Sequence, residues 1–208
     1  MYDQKTTLEQ FLDAAAAKQP TPGGGSITAL VGALSASMGE MVLNYSVGKK
    51  DLQAYVGELK PALEEFTRAR HLMMSLMIED QLAYETFTAI SKLPADAPDR
   101  VGKYNAALLA CIRVPQAMGA TGVAILQLCD RMINFVNPHL LSDLAVCADL
   151  AMAAVRCASY NVRINLQGVK ESKDRTQIES TISQLLTHGA TTIQRVAPRI
   201  WERVAQQT

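Results

Sequence analysis

Apolar residues recur at intervals of three and four along nearly the whole chain, and this spacing constrains the fold more than any other feature. A helix face repeats every three to four residues, whereas a half-buried strand alternates every second residue. We find no alternating run, internal repeat or low-complexity tract. The 208 residues therefore predict a single domain, 1–208, that is an all-α, up-and-down bundle of five to seven helices.

Prolines, glycines and capping residues divide this pattern into six helical segments. A T-x-x-E capping box at Thr6 begins the first segment, and the prolines that follow Gln19 end it. Ser26 is expected to cap the second segment and Gly48 to end it. The predicted segments are 6–19, 26–45, 51–92 with a kink or restart at Pro61, 99–135 with Asp99 as cap and a kink at Pro115, 142–166 opened by Ser142 or a neighbour, and 174–206.

The charge composition excludes some classes of partner. Twenty basic residues balance twenty acidic ones, so the chain lacks the basic surface of a nucleic-acid binder or of a polybasic membrane protein. Only 19% of residues are charged, which favours self-association that covers apolar surface. The polar N-terminus, the four widely spaced cysteines and the absence of a long uninterrupted apolar run predict a reduced, cytoplasmic protein without a membrane span.

The second segment combines two stripes that indicate close packing. Small residues every fourth position let another backbone approach, and larger apolar residues line the adjacent face. The small stripe is Gly25, Ala29, Ala33 and Ser37, and the larger one is Leu30, Leu34, Met38 and Met41. We expect this helix at the centre of the bundle or at a subunit contact.

A Pro-Gly-Gly-Gly-Ser run, residues 22–26, stands directly before that helix. Glycines leave backbone N–H groups uncovered, and the helix dipole adds positive potential there, so an anionic or carbonyl-bearing ligand is one reading. An ordinary capped turn is the other. No G-K-[ST] follows at the required spacing, which excludes a Walker phosphate loop.

Glu79 and Asp80 interrupt a strongly apolar stretch. Burial raises the pKa of a carboxyl group, as a general acid at neutral pH requires, although helical geometry leaves at least one of this pair facing solvent. Asp143 is a similar single acid, equally readable as an N-cap or first-turn residue.

Asn161 and Asn165 lie four residues apart on one helix face, where they either bind a heterocycle or bond to each other and to backbone. Lys49 and Lys50 follow the second helix, where cations complement the helix dipole or bind an anionic ligand tail. The three histidines are scattered and none has metal-ligand spacing, so we predict no metal site.

Taken together, these blocks resemble the formiminotransferase-cyclodeaminase C-terminal family over nearly the whole chain, in order and with similar spacing. The matching blocks are Thr21 to Ser26, Asn44, Gly48-Lys49-Lys50, Asp80 with Ala83-Tyr84, Lys92-Leu93-Pro94, Val114-Pro115, Asn137, Ser142-Asp143 and Asn161 to Leu166.

The resemblance implies an all-helical homodimer that acts on one-carbon derivatives of tetrahydrofolate, polyglutamylated forms included, with its pocket near the subunit interface and no metal or other cofactor. It assigns Asp80 as the proton donor. The substrate-binding residues that it implies are Gly23, Gly24, Gly25, Ser26, Asn44, Lys49, Lys50, Tyr84, Ser142, Asp143, Asn161 and Asn165. The family's Glu two residues after the acid is replaced here by Leu82, which puts full activity in question.

Three functions follow as hypotheses. The leading one is a formiminotetrahydrofolate cyclodeaminase, which forms 5,10-methenyltetrahydrofolate and ammonia. The alternative is a methenyltetrahydrofolate cyclohydrolase. It gains weight because this chain carries no transferase segment to supply a formimino group. The third is a helical dimer that binds folate without turnover, suggested by Leu82.

Overall fold

The computed structural model describes residues 2–3, 5–94, 96–98 and 100–206. Within these ranges it contains six α-helices, two short 3₁₀ helices and no strands, which confirms the predicted all-α bundle. The predicted cap Asp99 lies outside the described residues. The elements are α1 (Leu8–Ala16), α2 (Gly24–Asn44), a 3₁₀ turn (Lys50–Tyr55), α3 (Val56–Ser91), α4 (Arg100–Met132), a second 3₁₀ turn (Pro138–Leu140), α5 (Leu141–Leu166) and α6 (Ser172–Ala205).

The long helices form a bundle in which α2 and α4 lie on a diagonal and each packs mainly against α3 and α5. Helix α3 packs along α2 and α4, and α6 packs along α4 and α5. The main core cluster is aliphatic, with Phe66 and Leu43 among its largest fully buried side chains. As a result, the N-terminus of α2, the later half of α3 and the end of α5 meet at one end of the bundle.

Helices α2 and α3 approach each other closely along a glycine stripe. A Cβ built on Gly25, Gly32 or Gly39 would overlap Asp80, Met73 and Phe66 respectively. These glycines are seven residues apart, so they share one face of α2. The predicted small-residue stripe therefore contributes Gly25 to the contact with α3, and Gly32 and Gly39, outside that stripe, make the other close approaches.

Several predicted element ends are wrong by a few residues. The capping box of α1 is Thr7 with Gln10, not Thr6 with Glu9, and α1 stops at Ala16. Gly23 caps α2 without a side-chain hydrogen bond, so Ser26 lies inside the first turn rather than at the cap. Gly48 has a φ of 85° and follows α2, as predicted.

Two helices, α2 and α4, are long and apolar enough to cross a membrane by length and composition alone. In each, 56% of the most apolar window is buried inside the bundle, as in the core helices of globular proteins. The absence of a membrane or nucleic-acid partner and the cytoplasmic location stay predictions from the sequence.

Candidate active site

A cavity of about 300 Å³ opens at the end of the bundle where α2 begins. Its walls come from the α1–α2 loop and from four helices, so it joins segments far apart in the chain. The lining residues are Pro20, Thr21, Gly23, Gly24, Gly25, Asp80, Tyr84, Cys111, Pro115, Asn161, Ile164 and Asn165. The structure thus brings together the glycine run, Asp80, Tyr84 and both asparagines.

The carboxyl group of Asp80 lies against the N-terminus of α2. It fits there because Gly25 has no side chain. Ser26 Oγ donates to Asp80 Oδ2 at 3.1 Å. Burial raises the pKa of Asp80, and the hydrogen bonds from the Ser26 side chain and backbone N–H oppose that rise without cancelling it. Asp80 therefore keeps its proton to higher pH than a solvent-exposed aspartate.

Removing the Ser26 hydroxyl should raise the pKa of Asp80 further. Ser26→Ala deletes a donor that stabilises the ionised carboxylate and leaves the burial unchanged. In a ¹³C NMR titration of the Asp80 carboxyl carbon, the midpoint should move to higher pH than in the wild type. Ser37→Ala is the matched control, because Ser37 Oγ donates to the Ala33 carbonyl in the same helix. A midpoint that stays put or moves to lower pH in Ser26→Ala would contradict this account.

The two asparagines are fixed by backbone carbonyls. Asn161 Nδ2 donates to the Cys157 carbonyl at 2.9 Å and to Thr28 Oγ1 at 3.2 Å. Asn165 Nδ2 donates to the carbonyls of Asn161 at 2.8 Å and Cys111 at 3.1 Å. The reading in which the amides bond to each other and to backbone is therefore confirmed. Both side chains also line the cavity, and heterocycle binding there stays a prediction.

Pro115 explains why the Cys111 carbonyl is available to Asn165. A proline has no N–H to donate to the carbonyl four residues earlier, so that carbonyl needs another partner. Helix α4 continues through Pro115 from Arg100 to Met132, and the amide of Asn165 takes the missing place. The proline therefore helps to position a cavity residue instead of ending the helix.

Sequence reasoning missed Cys111, which lines the cavity. Cys111 is only 8% exposed, and burial, aided by the charge of Asp80, raises the pKa of its thiol to about 11. It is thus a neutral thiol facing the cavity. The available signal was its spacing of four residues from Pro115, which places both on one face of α4.

The other residues implied by the resemblance lie elsewhere in the chain. Helix α2 has 21 residues and spans about 30 Å, so its C-terminal end is far from the cavity. Exposed Asn44 is at that end, followed by Lys50 and by Lys49, whose Nζ donates to Asn137 Oδ1 at 3.0 Å. Ser142 and Asp143 stand in the first turn of α5, some 28 Å by helix rise from Asn161.

Leu82 points away from the cavity. It is 43% exposed and lines a separate groove between α3 and α4, together with exposed Glu79. Because two residues along a helix are turned by about 200°, position 82 cannot face the same side as Asp80. The replacement of the family's Glu therefore removes no group from the cavity of this chain.

Among the described residues, no group of three or more histidine, cysteine, aspartate or glutamate side chains is placed to hold a metal ion. The prediction of a reaction without metal or cofactor stays a prediction. The residues that line the cavity carry a carboxyl, two amides, a phenol, a hydroxyl, a thiol and the backbone N–H groups of a helix N-terminus.

Comparison with known proteins gives consistent matches along the chain. A family model described as Formiminotransferase-cyclodeaminase matches residues 7–184. A methenyltetrahydrofolate cyclohydrolase from Methylorubrum extorquens is 30% identical over 86% of both chains. A formimidoyltransferase-cyclodeaminase from Sus scrofa is 28% identical over 95% of this chain, which spans 37% of that protein. The crystal structure of a formiminotetrahydrofolate cyclodeaminase from Thermotoga maritima is similar with a TM-score of 0.82, at 25% identity and 97% coverage of both chains.

Proposed function

Because the chain belongs to the formiminotransferase-cyclodeaminase family, we propose that it converts 5-formiminotetrahydrofolate to 5,10-methenyltetrahydrofolate and ammonia. The observation that carries the proposal is Asp80, a half-buried acid with a raised pKa in a cavity lined by amides and helix N–H groups. Such an acid supplies the proton that a departing nitrogen requires.

The reaction needs one proton moved between two nitrogens. N10 of the substrate attacks the carbon of the protonated formimino group, and a tetrahedral intermediate forms. Ionised Asp80 accepts the proton that N10 loses and then donates it to the NH₂ group, which leaves as ammonia. The positive charge stays on the methenyl product, so atoms and charge balance and Asp80 returns to its starting state.

The cavity volume of about 300 Å³ lies at the lower end of the range for small-molecule sites. It suits the bicyclic head of a folate and leaves the p-aminobenzoyl-glutamate tail outside. The free N–H groups at the start of α2 are donors for the ring carbonyl, and the helix dipole strengthens them.

A cyclohydrolase is the second candidate. The observation in its favour is the Methylorubrum extorquens relative, which is named as a cyclohydrolase and matches this chain over most of both lengths. Hydrolysis of the methenyl group passes through a similar tetrahedral carbon, and Asp80 would then accept a proton from the attacking water.

Absorbance assays on the purified protein separate these functions. We expect the methenyl chromophore to appear from 5-formiminotetrahydrofolate with release of ammonia. Methenyl decay faster than the buffer control, with no formimino consumption, would instead establish the cyclohydrolase. Folate binding with neither reaction would leave the non-catalytic binder.

We also propose a homodimer through α2. An apolar stripe with alternating spacings of four and three runs along the open side of this helix, and every member is at least partly exposed. Its members are Ile27, Val31, Leu34, Met38, Met41 and Tyr45. Leu34 is 50% exposed and is the midpoint of Gly24–Asn44.

A second copy fits this stripe because a two-fold axis beside Leu34 would pair the two α2 helices antiparallel. Each cavity end of α2 would then meet the other end of its neighbour. The partner's Asn44 and the partner's Lys49 would then lie at the same end of the dimer as the cavity, whereas one chain holds these two groups of residues about 30 Å apart. A folate tail with one or more glutamates would meet cations there.

Leu34→Glu should convert the dimer to a monomer. A charge at the centre of an apolar interface is desolvated without a partner. Size-exclusion chromatography with light scattering should show about half the mass of the wild type. Leu12→Glu is the matched control, since Leu12 on α1 is 51% exposed and lies off the stripe. A monomeric wild type, or an unchanged mass for Leu34→Glu, would reject this interface.

A further inference from the structure

Both cavity asparagines are locked in one amide orientation. Each Nδ2 donates to two oxygens, at least one of them a backbone carbonyl, which offers no hydrogen. A flipped amide would set its own oxygen against those carbonyl oxygens. The orientation therefore follows from the surrounding backbone.

This orientation leaves both amide oxygens to the cavity. Neither Oδ1 accepts a hydrogen bond in the described part of the chain, and neither is a buried atom without a partner. Asn161 Oδ1 lies 3.1 Å from where a Cβ of Gly24 would be, and the neighbouring Gly25 touches Asp80. The acceptors of Asn161 and Asp80 therefore flank the same first turn of α2.

We infer that Asn161 and Asn165 select a one-carbon group that carries N–H donors, the amidine of a formimino substituent, over the carbonyl of a formyl substituent. This inference rests on the proposed function and names the group that the site distinguishes. A protonated formimino group offers hydrogens to the amide oxygens. A formyl group at the same nitrogen has the same shape but offers only an oxygen, which leaves acceptors facing one another unpaired.

The test compares 5-formiminotetrahydrofolate with 5-formyltetrahydrofolate, which differ at the N5 substituent by =NH against =O. Asp80→Asn is the background because its slowed turnover leaves the substrate largely intact during titration calorimetry. We expect the formimino compound to bind about 10-fold more tightly or better, as one to two hydrogen bonds supply. Asn161→Leu and Asn165→Leu should each reduce this preference several-fold.

Two variants guard against a merely structural effect. Asn161→Asp keeps an acceptor of the same shape but sets its second oxygen against the Cys157 carbonyl, so it should weaken both ligands and still retain the preference. Asn105→Leu removes an exposed asparagine of α4 outside this cavity and should change neither affinity. Circular dichroism checks that each variant is folded.

The outcomes separate this inference from the proposed function. Equal weakening of both ligands by the leucine variants would mean that the asparagines contact the shared pterin ring, and would overturn the inference. Equal binding of both ligands by the Asp80→Asn protein would also overturn the inference. Turnover of 5-formiminotetrahydrofolate by the wild type would still support the proposed function in that case. Failure of the wild type to bind either ligand would overturn both.

Discussion

Asp80→Asn should lower the turnover of 5-formiminotetrahydrofolate by about 100-fold or more, the usual contribution of a general acid or base. The amide has nearly the shape of the carboxyl group, so it fills the same space, and its oxygen can accept the hydrogen bond from Ser26. It carries no transferable proton at neutral pH. Formation of the methenyl chromophore measures the loss, and calorimetry should show that folate still binds.

The pH dependence gives a second readout of the same residue. The raised pKa of Asp80 keeps a fraction of the carboxyl protonated closer to neutrality, and that fraction falls as pH rises through the pKa. Because the mechanism starts from the ionised carboxylate, wild-type activity should rise as pH rises through this raised pKa, and the residual activity of Asp80→Asn should lack that rise. Glu79→Gln is the control, because Glu79 is exposed and outside the cavity. Full turnover in Asp80→Asn would show that Asp80 is not the proton donor and has only a structural role.

Gly25→Ala should damage both the site and the fold. A Cβ at this position would overlap the Asp80 carboxyl group, so either the side chain leaves the cavity or α2 moves away from α3. Overpacking of this kind costs about 1–3 kcal/mol of unfolding free energy. Loss of the placed acid should cost activity about as much as Asp80→Asn does. Urea unfolding and the chromophore assay measure the two effects.

Gly57→Ala is the matched control for this substitution. Gly57 lies in the first turn of α3, and a Cβ there meets nothing within 4 Å. Alanine is the better helix former, so the control should gain up to about 0.5–1 kcal/mol with activity unchanged. An active Gly25→Ala protein of wild-type stability would show that the close approach of α2 and α3 is not required.

The fold was predictable because helices are encoded locally. The spacing of apolar residues predicted the long helices, and α5 begins within one residue of the expected Ser142. Element ends were less predictable where two neighbouring residues offered the same cap. Thr6 and Thr7 both fit, and only the geometry of the turn selected Thr7. Likewise the sequence alone did not show that Asn165, 50 residues beyond Pro115, bonds the Cys111 carbonyl that the proline leaves without a helical donor.

The candidate site was predictable only in its parts. The glycine run, Asp80 and the asparagine pair are visible as local patterns, but nothing local connects them. Ser26 read as a cap, whereas its hydroxyl donates to a carboxyl group 54 residues away. Leu82 read as a loss from the site, whereas its side chain lies in a separate groove, and its effect on activity stays a prediction.

By itself, the sequence determined which segments are helical, which faces are apolar and which side chains carry chemistry, because a helix turn involves only neighbours within four residues. The tertiary structure alone decided that Asp80 meets a glycine, that both asparagine amides are fixed in one orientation, and that Asn44, Lys49 and Asp143 stand about 30 Å from the acid in the same chain. Those outcomes depend on how side chains from distant segments exclude water and one another when helices pack, and no local pattern contains that information.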